Sequence, residues 1–274
     1  MLNISRLLLL AVLLGVQAQA QAQTPTEEPA VQTSQQYAAM ILMEMAEFLA
    51  GLDKFSVSVR SGYDAVQENG QKVEFLEHRD LTVARPDHLR ADETGADGRN
   101  SMVLFDGSQI TVWDADRQVF AQADQPGGVD DSIVYFTREL GMRLPLAALA
   151  MQRLPQELAR RAIAVDYVEL TAAPLFPVDA HHIVMRTEAA DVQLWIADDS
   201  DRPWPLRMVL SYVDDPGQPQ HWGDFSDWTT RPKISKSTFR FKPPADAEQI
   251  VFSVQIPAPD QTFSGQASQQ GDQQ

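Results

Sequence analysis

The chain has 274 residues, no cysteine, and 38 acidic against 22 basic side chains, a net charge of −16. Without thiols there is no disulfide to hold the fold, no cysteine nucleophile, and no cysteine through which a lipid can be attached. So acidic a surface repels phosphate backbones and anionic head groups, and nucleic acid is not among the expected partners.

The N-terminus reads as an export signal. Arg6 is the only charge before Glu27, and Leu7 to Val16 follows as an uninterrupted apolar run. Ala18-Gln19-Ala20 and Ala20-Gln21-Ala22 then place small residues where a signal peptidase reads them, so cleavage is expected after Ala20 or Ala22. A membrane-spanning helix needs roughly 20 apolar residues, more than this run supplies, so no transmembrane anchor is expected. Loss of Arg6 leaves 21 basic against 38 acidic residues, a charge of −17. Residues 21–33 are polar with two prolines and read as a flexible lead. The Gln-rich residues 258–274 read as a disordered tail. Between them, 34–257 shows no linker and no repeat, and reads as one domain.

Within that domain the period changes along the chain. Tyr37, Ile41, Met45, Phe48 and Leu52 fall on one helical stripe, widened by Met40, Met43 and Leu49. Ser34 is placed to cap this helix and Gly51 to end it. From Phe55 the period is two, with Phe55, Val57 and Val59 alternating with polar neighbours. Strands are expected over 55–60, 72–84, 88–92, 101–105, 109–114 and 117–123, with tight turns at Asn69-Gly70 and Asp106-Gly107. A helical insert follows. Ile133, Phe136 and Leu140 share a face behind Asp131, and Pro145 and Pro155 open two further helices. Strands return over 165–170, 181–188, 191–197, 205–213, 221–228 and 238–241.

Such an order, helix, strands, helices, strands, predicts an α+β fold. Some 10–11 antiparallel strands cannot stay flat, because twist accumulates and the sheet curls into an incomplete β-barrel. Its hollow side needs a cover, and the amphipathic helices provide a lid.

Several segments resemble known sequences. Met102-Val103-Leu104-Phe105-Asp106-Gly107, Ile110-Thr111-Val112-Trp113 and Val119-Phe120-Ala121 resemble a hairpin of periplasmic lipoprotein-carrier and lipoprotein-receptor folds of the LolA, LolB and LppX type. Closer is the resemblance to predicted periplasmic proteins grouped as domain of unknown function 2092. It is carried by His182 to Arg186, Asp191 to Ile196, Arg202-Pro203-Trp204-Pro205, Asp215-Pro216-Gly217, Ser226-Asp227-Trp228 and Phe239-Arg240-Phe241-Lys242-Pro243-Pro244. The resemblance implies a half-barrel with a helical lid, a scaffold that carries acyl chains. It implies no catalytic residue and no cofactor.

The residues themselves point the same way on chemistry. There is no Gly-x-Ser-x-Gly elbow and no Gly-rich phosphate loop. His181 and His182 are strand neighbours on opposite faces, so they cannot ligate one metal together. Asp198, Asp199 and Asp201 cluster without calcium-loop spacing. No catalytic or metal residue is therefore assigned. Met40, Phe48, Phe105, Trp113, Phe136, Trp195, Tyr212 and Phe239 are the candidates to line a ligand site, since aromatic and thioether side chains suit a long apolar ligand; ordinary core packing fits them as well. Strand parity puts Trp195 opposite Val192, Leu194 and Ile196, and Trp113 opposite Ile110 and Val112, without saying which face is hollow. The expectation is a periplasmic, non-enzymatic protein binding a lipid or lipoprotein acyl chain. An envelope docking module is the alternative, and a hydrolase of envelope polymers a remote third.

Overall fold

A computed structural model describes residues 28–142 and 146–252, with side chains from residue 33 onward. The export signal, its cleavage sites and the tail from 253 lie outside the described residues. Helix α1 spans Glu28–Ala50. It begins upstream of Ser34, so that serine lies within the helix rather than capping it, and the end of the expected flexible lead is helical. Its buried stripe is Ala38, Ile41, Leu42, Met45, Ala46 and Leu49. Burying Ile41, Leu42, Met45 and Leu49 stabilises by about 1.5–3 kcal/mol each, so packing rather than propensity holds the helix. The observed stripe is turned from the predicted one, leaving Tyr37 and Met40 exposed.

Six strands follow as a meander: β1 (Lys54–Val66), β2 (Lys72–Ala84), β3 (His88–Gly95), β4 (Asn100–Phe105), β5 (Gln109–Asp114) and β6 (Val119–Asp124). Strand β2 has the expected bounds, while β1 runs past its expected end at residue 60, and the two pair from Lys54↔Ala84 to Val66↔Lys72. Gly70 closes it at φ +81°, a left-handed turn position that glycine adopts without penalty. The insert comprises α2 (Val129–Arg138), a single 3-10 turn (Ala147–Ala150) and α3 (Leu154–Arg161). The expected helix from Pro145 is only this short turn over the described residues. Asp131 sits inside α2 and accepts the Gly128 backbone N–H at 3.4 Å. Asp130 reaches across to the start of α3, accepting the N–H groups of Gln152 (2.7 Å) and Arg153 (2.9 Å). One carboxylate thus joins α2 to α3.

The second meander is β7 (Ala164–Thr171), β8 (Ala180–Arg186), β9 (Asp191–Ala197), β10 (Pro205–Ser211) and β11 (Gln220–Thr229), and a short β12 (Glu248–Ile250) ends it. All pair into one twelve-stranded sheet in the order β12-β6-β5-β4-β3-β2-β1-β11-β10-β9-β8-β7. Every pairing is antiparallel except β12 on β6. Strands β1 and β11, far apart in the chain, meet at the centre. The sheet is open and curved, and the helices cover one face: α1 lies over β7–β9 and touches α3 and the 3-10 turn, while α2 meets that turn over the other half.

Residues 238–241 are not a strand. They belong to a segment that turns over 236–239, where the Thr238 and Arg240 N–H groups bond the carbonyls of Ser235 and Ser237 (both 3.2 Å), and that is laid on the uncovered, outer face. Phe239 packs with Met102 and Leu104, and Phe241 with Trp113 at 5.6 Å and Phe120 at 5.3 Å. Alternation of Phe239 and Phe241 mimics a strand, but the carbonyl of Thr238 pairs with the Arg90 guanidinium (3.2 Å) and not with a neighbouring strand.

The outer face of the other half carries a ladder of cations and rings. Arg60 lies over Trp222 (5.6 Å), Arg207 over Trp222 (5.2 Å) and Trp195 (5.9 Å), and His182 stacks on Trp195 at 4.1 Å. Asp224 ties Arg60 (2.8 Å) to Arg207 (2.5 Å), and Glu74 accepts the Trp222 indole N–H at 2.7 Å. Gly62 lies beneath that indole, where a Cβ would come within 2.8 Å of three ring atoms. With the ring held on both sides, Gly62→Ala is expected to destabilise by about 1–3 kcal/mol. Urea titration followed by tryptophan emission measures it, and an unchanged midpoint would show that the ring moves aside freely.

Candidate functional site

On the covered face, side chains of β11, β1, β2, β3, β4 and β5 converge beneath α2 and the 3-10 turn. Six neighbouring strands can surround one space only if the sheet curls toward its helices. Phe55, Val57, Leu81, Leu89 and Phe105 form the floor, and Ile133, Phe136 and Leu149 the roof. Arg79 and Ser132 are the only residues with polar side-chain groups in the lining apart from the Trp228 indole, which donates to the Pro205 carbonyl at 3.0 Å. The free space, counted out to its open mouth, is about 820 Å³, but only about 70 Å³ of it has room for the centre of a water molecule. As it stands the hollow is a narrow apolar slot that holds a few water-sized groups and is too small for a whole acyl chain.

Two features set how tightly the cover sits. Leu146, at φ +69°, drops its side chain onto Gly223 of β11, where an added Cβ would come within 2.5 Å of the leucine methyl. A glycine in the sheet therefore makes a notch, and Leu146 fills it. Arg85, at the end of β2, donates from Nη1 to the carbonyls of Leu49 (2.9 Å), Ala50 (3.4 Å) and Leu52, and from Nη2 to Ala150 (2.9 Å), while its guanidinium lies over the Phe55 ring at 5.6 Å. One cation thus satisfies the orphan carbonyls ending α1 and the 3-10 turn, where the helix dipole also favours positive charge. Burial pulls the Arg85 pKa below its ordinary value, opposed by the charges of Asp130 and Asp53.

Beyond the slot the covered face turns polar and then aromatic. Arg79 pairs with Glu77 (3.1 Å) and Glu93, and Ser61 donates to Glu77 at 2.9 Å. One step further, His221 lies flat against Tyr63, only 4% exposed, and its Nε2 has no hydrogen-bond partner. Burial, and then the charge of Arg79, push its pKa down to about 4.

Of the eight candidate lining residues, the slot holds Phe105 and Phe136. Phe48 does not line it but packs against the core, edge-on to Trp204 at 4.6 Å. Met40 is exposed on α1, and Tyr212 is half-buried just after β10. Trp113, Trp195 and Phe239 are on the outer face, because the aliphatic parity of β5 and β9 faces the helices. The lining contains residues the candidate set lacks. Phe55 was legible from its alternation with Val57 and Val59. Trp228 was not: His221, Gly223 and Phe225 share the covered face, and a left-handed residue, Asp227 at φ +55°, then shifts the register so that Trp228 turns inward. Among the described residues no three His, Asp or Glu side chains converge as a metal would require. His181 meets Asp198 at 3.1 Å on one face, while His182 stacks on Trp195 on the other.

The family model described as "Predicted periplasmic protein (DUF2092)" matches residues 38–253. The chain belongs to that family. The DUF2092 match runs from within α1 to just past β12, so it takes in the whole sheet and its cover. No curated protein matches the chain. Similar solved structures include an uncharacterized conserved protein from Thermus thermophilus, at 12% identity and TM-score 0.45, covering 78% of this chain and 99% of that one. A LolA superfamily protein from Nitrosomonas europaea is similar at 14% identity and TM-score 0.37, covering 74% and 97%. MucB in the Pseudomonas aeruginosa MucA/MucB complex is similar at 15% identity and TM-score 0.36, covering 75% and 61%. No helix among the described residues is long and apolar enough to cross a membrane.

Proposed function

We propose that this DUF2092 protein is exported to the periplasm and there binds a hydrophobic ligand, a lipid or the acyl chain of a lipoprotein, between sheet and cover, without performing chemistry on it. The slot under α2 carries this reading: its lining is almost wholly apolar, and it opens to the surface. Because the slot is narrow, binding requires the cover to lift, with Leu146 leaving its Gly223 notch. A ligand favours the lifted state only through the apolar area it buries there. Ala91 lines the slot from β3 and is 7% exposed. Ala91→Leu adds three carbons to the space at an overpacking cost of about 1–3 kcal/mol. Organic extraction of the purified wild type is expected to release an amphiphile seen by mass spectrometry, and the folded variant at least tenfold less. Equal yields from both proteins, or none from the wild type, would overturn the reading.

A second reading, docking on another envelope protein, has one observation in its favour. Past the cover, the β1–β2 hairpin continues with Tyr63, Phe75 and Val73 on the covered face, 39%, 46% and 36% exposed. A photo-crosslinking residue at position 75 would capture a specific protein if this surface docks one.

A further inference from the structure

The chain is strongly acidic, yet one cleft runs against that balance. Arg138 from the end of α2 and Arg160 and Arg161 from the end of α3 line an open cleft of about 370 Å³ against the β8–β9 turn. Asp130 already ties the start of α2 to that of α3, so the two helix ends are held in a set relation. Arg160 (2.7 Å) and Arg161 (2.9 Å) share a single carboxylate, Glu157. Arg138 has no ion pair among the described residues. Glu188 also lines the cleft, so three guanidinium groups face two carboxylates and an excess positive charge remains. The wall beside them is apolar: Ala162, Ala189 and Ile163, which is 63% exposed.

From this we infer that the cleft is a binding site for a phosphate-type anion, with guanidinium forks on one side and an apolar wall suited to the start of an acyl chain on the other. Guanidinium forks match phosphate oxygens in a way that a point charge does not. At physiological ionic strength the screening length is about 8 Å, so the cleft's own charges govern an approaching anion while the acidic remainder of the surface is largely masked. The inference is independent of the slot: Arg138 lies two residues beyond Phe136 on α2, toward the helix's opposite side, and the cleft needs no ligand under the cover.

Two probes separate a lipid head group from a free anion: inorganic phosphate, and phosphatidylglycerol vesicles compared with phosphatidylcholine vesicles, all at about 0.15 M ionic strength. Phosphate titration is read from the Arg side-chain NMR resonances, and vesicle binding by co-sedimentation. The wild type is expected to respond to phosphate in the millimolar range and to partition onto phosphatidylglycerol in preference to phosphatidylcholine. Each arginine removed is expected to weaken partition about fivefold, so that R138Q/R160Q/R161Q loses on the order of a hundredfold. A control, R99Q/R117Q/R202Q, changes the net charge equally at three exposed turns elsewhere. A phosphate response without vesicle binding keeps the anion site and assigns it to a free anion. No response to either probe, or an equal loss in the control, overturns the inference. Competition of phosphate against vesicle binding in the wild type gives the same answer without relying on any variant's fold.

Discussion

Arg85→Ala is expected to destabilise the protein by about 3–5 kcal/mol, because it removes one cation from four carbonyls at once and leaves only that of Leu49 with another donor among the described residues, the Leu52 N–H at 3.3 Å. Leu49, Ala50 and Leu52 end α1, and Ala150 ends the 3-10 turn, so the loss falls on both parts of the cover together. Lysine is a poor replacement: its single ammonium cannot stand both where Nη1 meets the end of α1 and where Nη2 meets Ala150, or spread over the Phe55 ring. Thermal unfolding is expected to move down by roughly 10 °C for alanine, with most of that loss remaining for lysine. A shift of under 2 °C would mean that water replaces the guanidinium at those carbonyls. In that event the cover would not depend on this residue.

Acid is expected to weaken the fold through His221. Its folded-state pKa is about 4, below the ordinary 6.5, so in this range the unfolded chain takes up a proton that the native protein refuses. Stability from this group is complete above pH 6.5 and is lost as the pH falls toward 4, by about 3 kcal/mol in all. Phenylalanine keeps the flat contact with Tyr63 and removes both the titration and the unpartnered Nε2. Urea unfolding of the wild type and His221→Phe at pH 7, 5.5 and 4.5 separates this loss from the carboxylate contributions common to both proteins. The difference between the two is expected to grow in favour of the variant as the pH drops. Parallel curves would show that the imidazole protonates in place without cost.

Most of the architecture was legible because it rests on local periodicity. The alternation of β4 and β5 and the Asp106-Gly107 turn predict their hairpin, and the Leu, Ile and Met spacing of α1 predicts a covering helix. What was not legible depends on how distant pieces meet. The face that α1 covers decides whether Trp113 and Trp195 point at a hollow or away from it, and no local pattern encodes that choice. Phe239 and Phe241 alternate like a strand, but cover the outer face. Arg85 looks like a charge ending a strand beside Pro86, and its role as a clamp exists only once α1 and the 3-10 turn arrive. Trp228 was hidden for a backbone reason, the single left-handed residue at Asp227 that moves it to the covered side.

Pairing β1 with β11 joins residues such as Arg60 and Asp224, 164 positions apart, at the middle of the molecule. Closing so long a loop comes late and is slow, since its entropy must be met before the contacts return anything. The first six strands emerging on their own would lack their inner neighbour and present Val57, Val59 and Phe55 on an open border. Assembly must therefore wait for the last third of the polypeptide, and until then those apolar side chains lack the strand that covers their border.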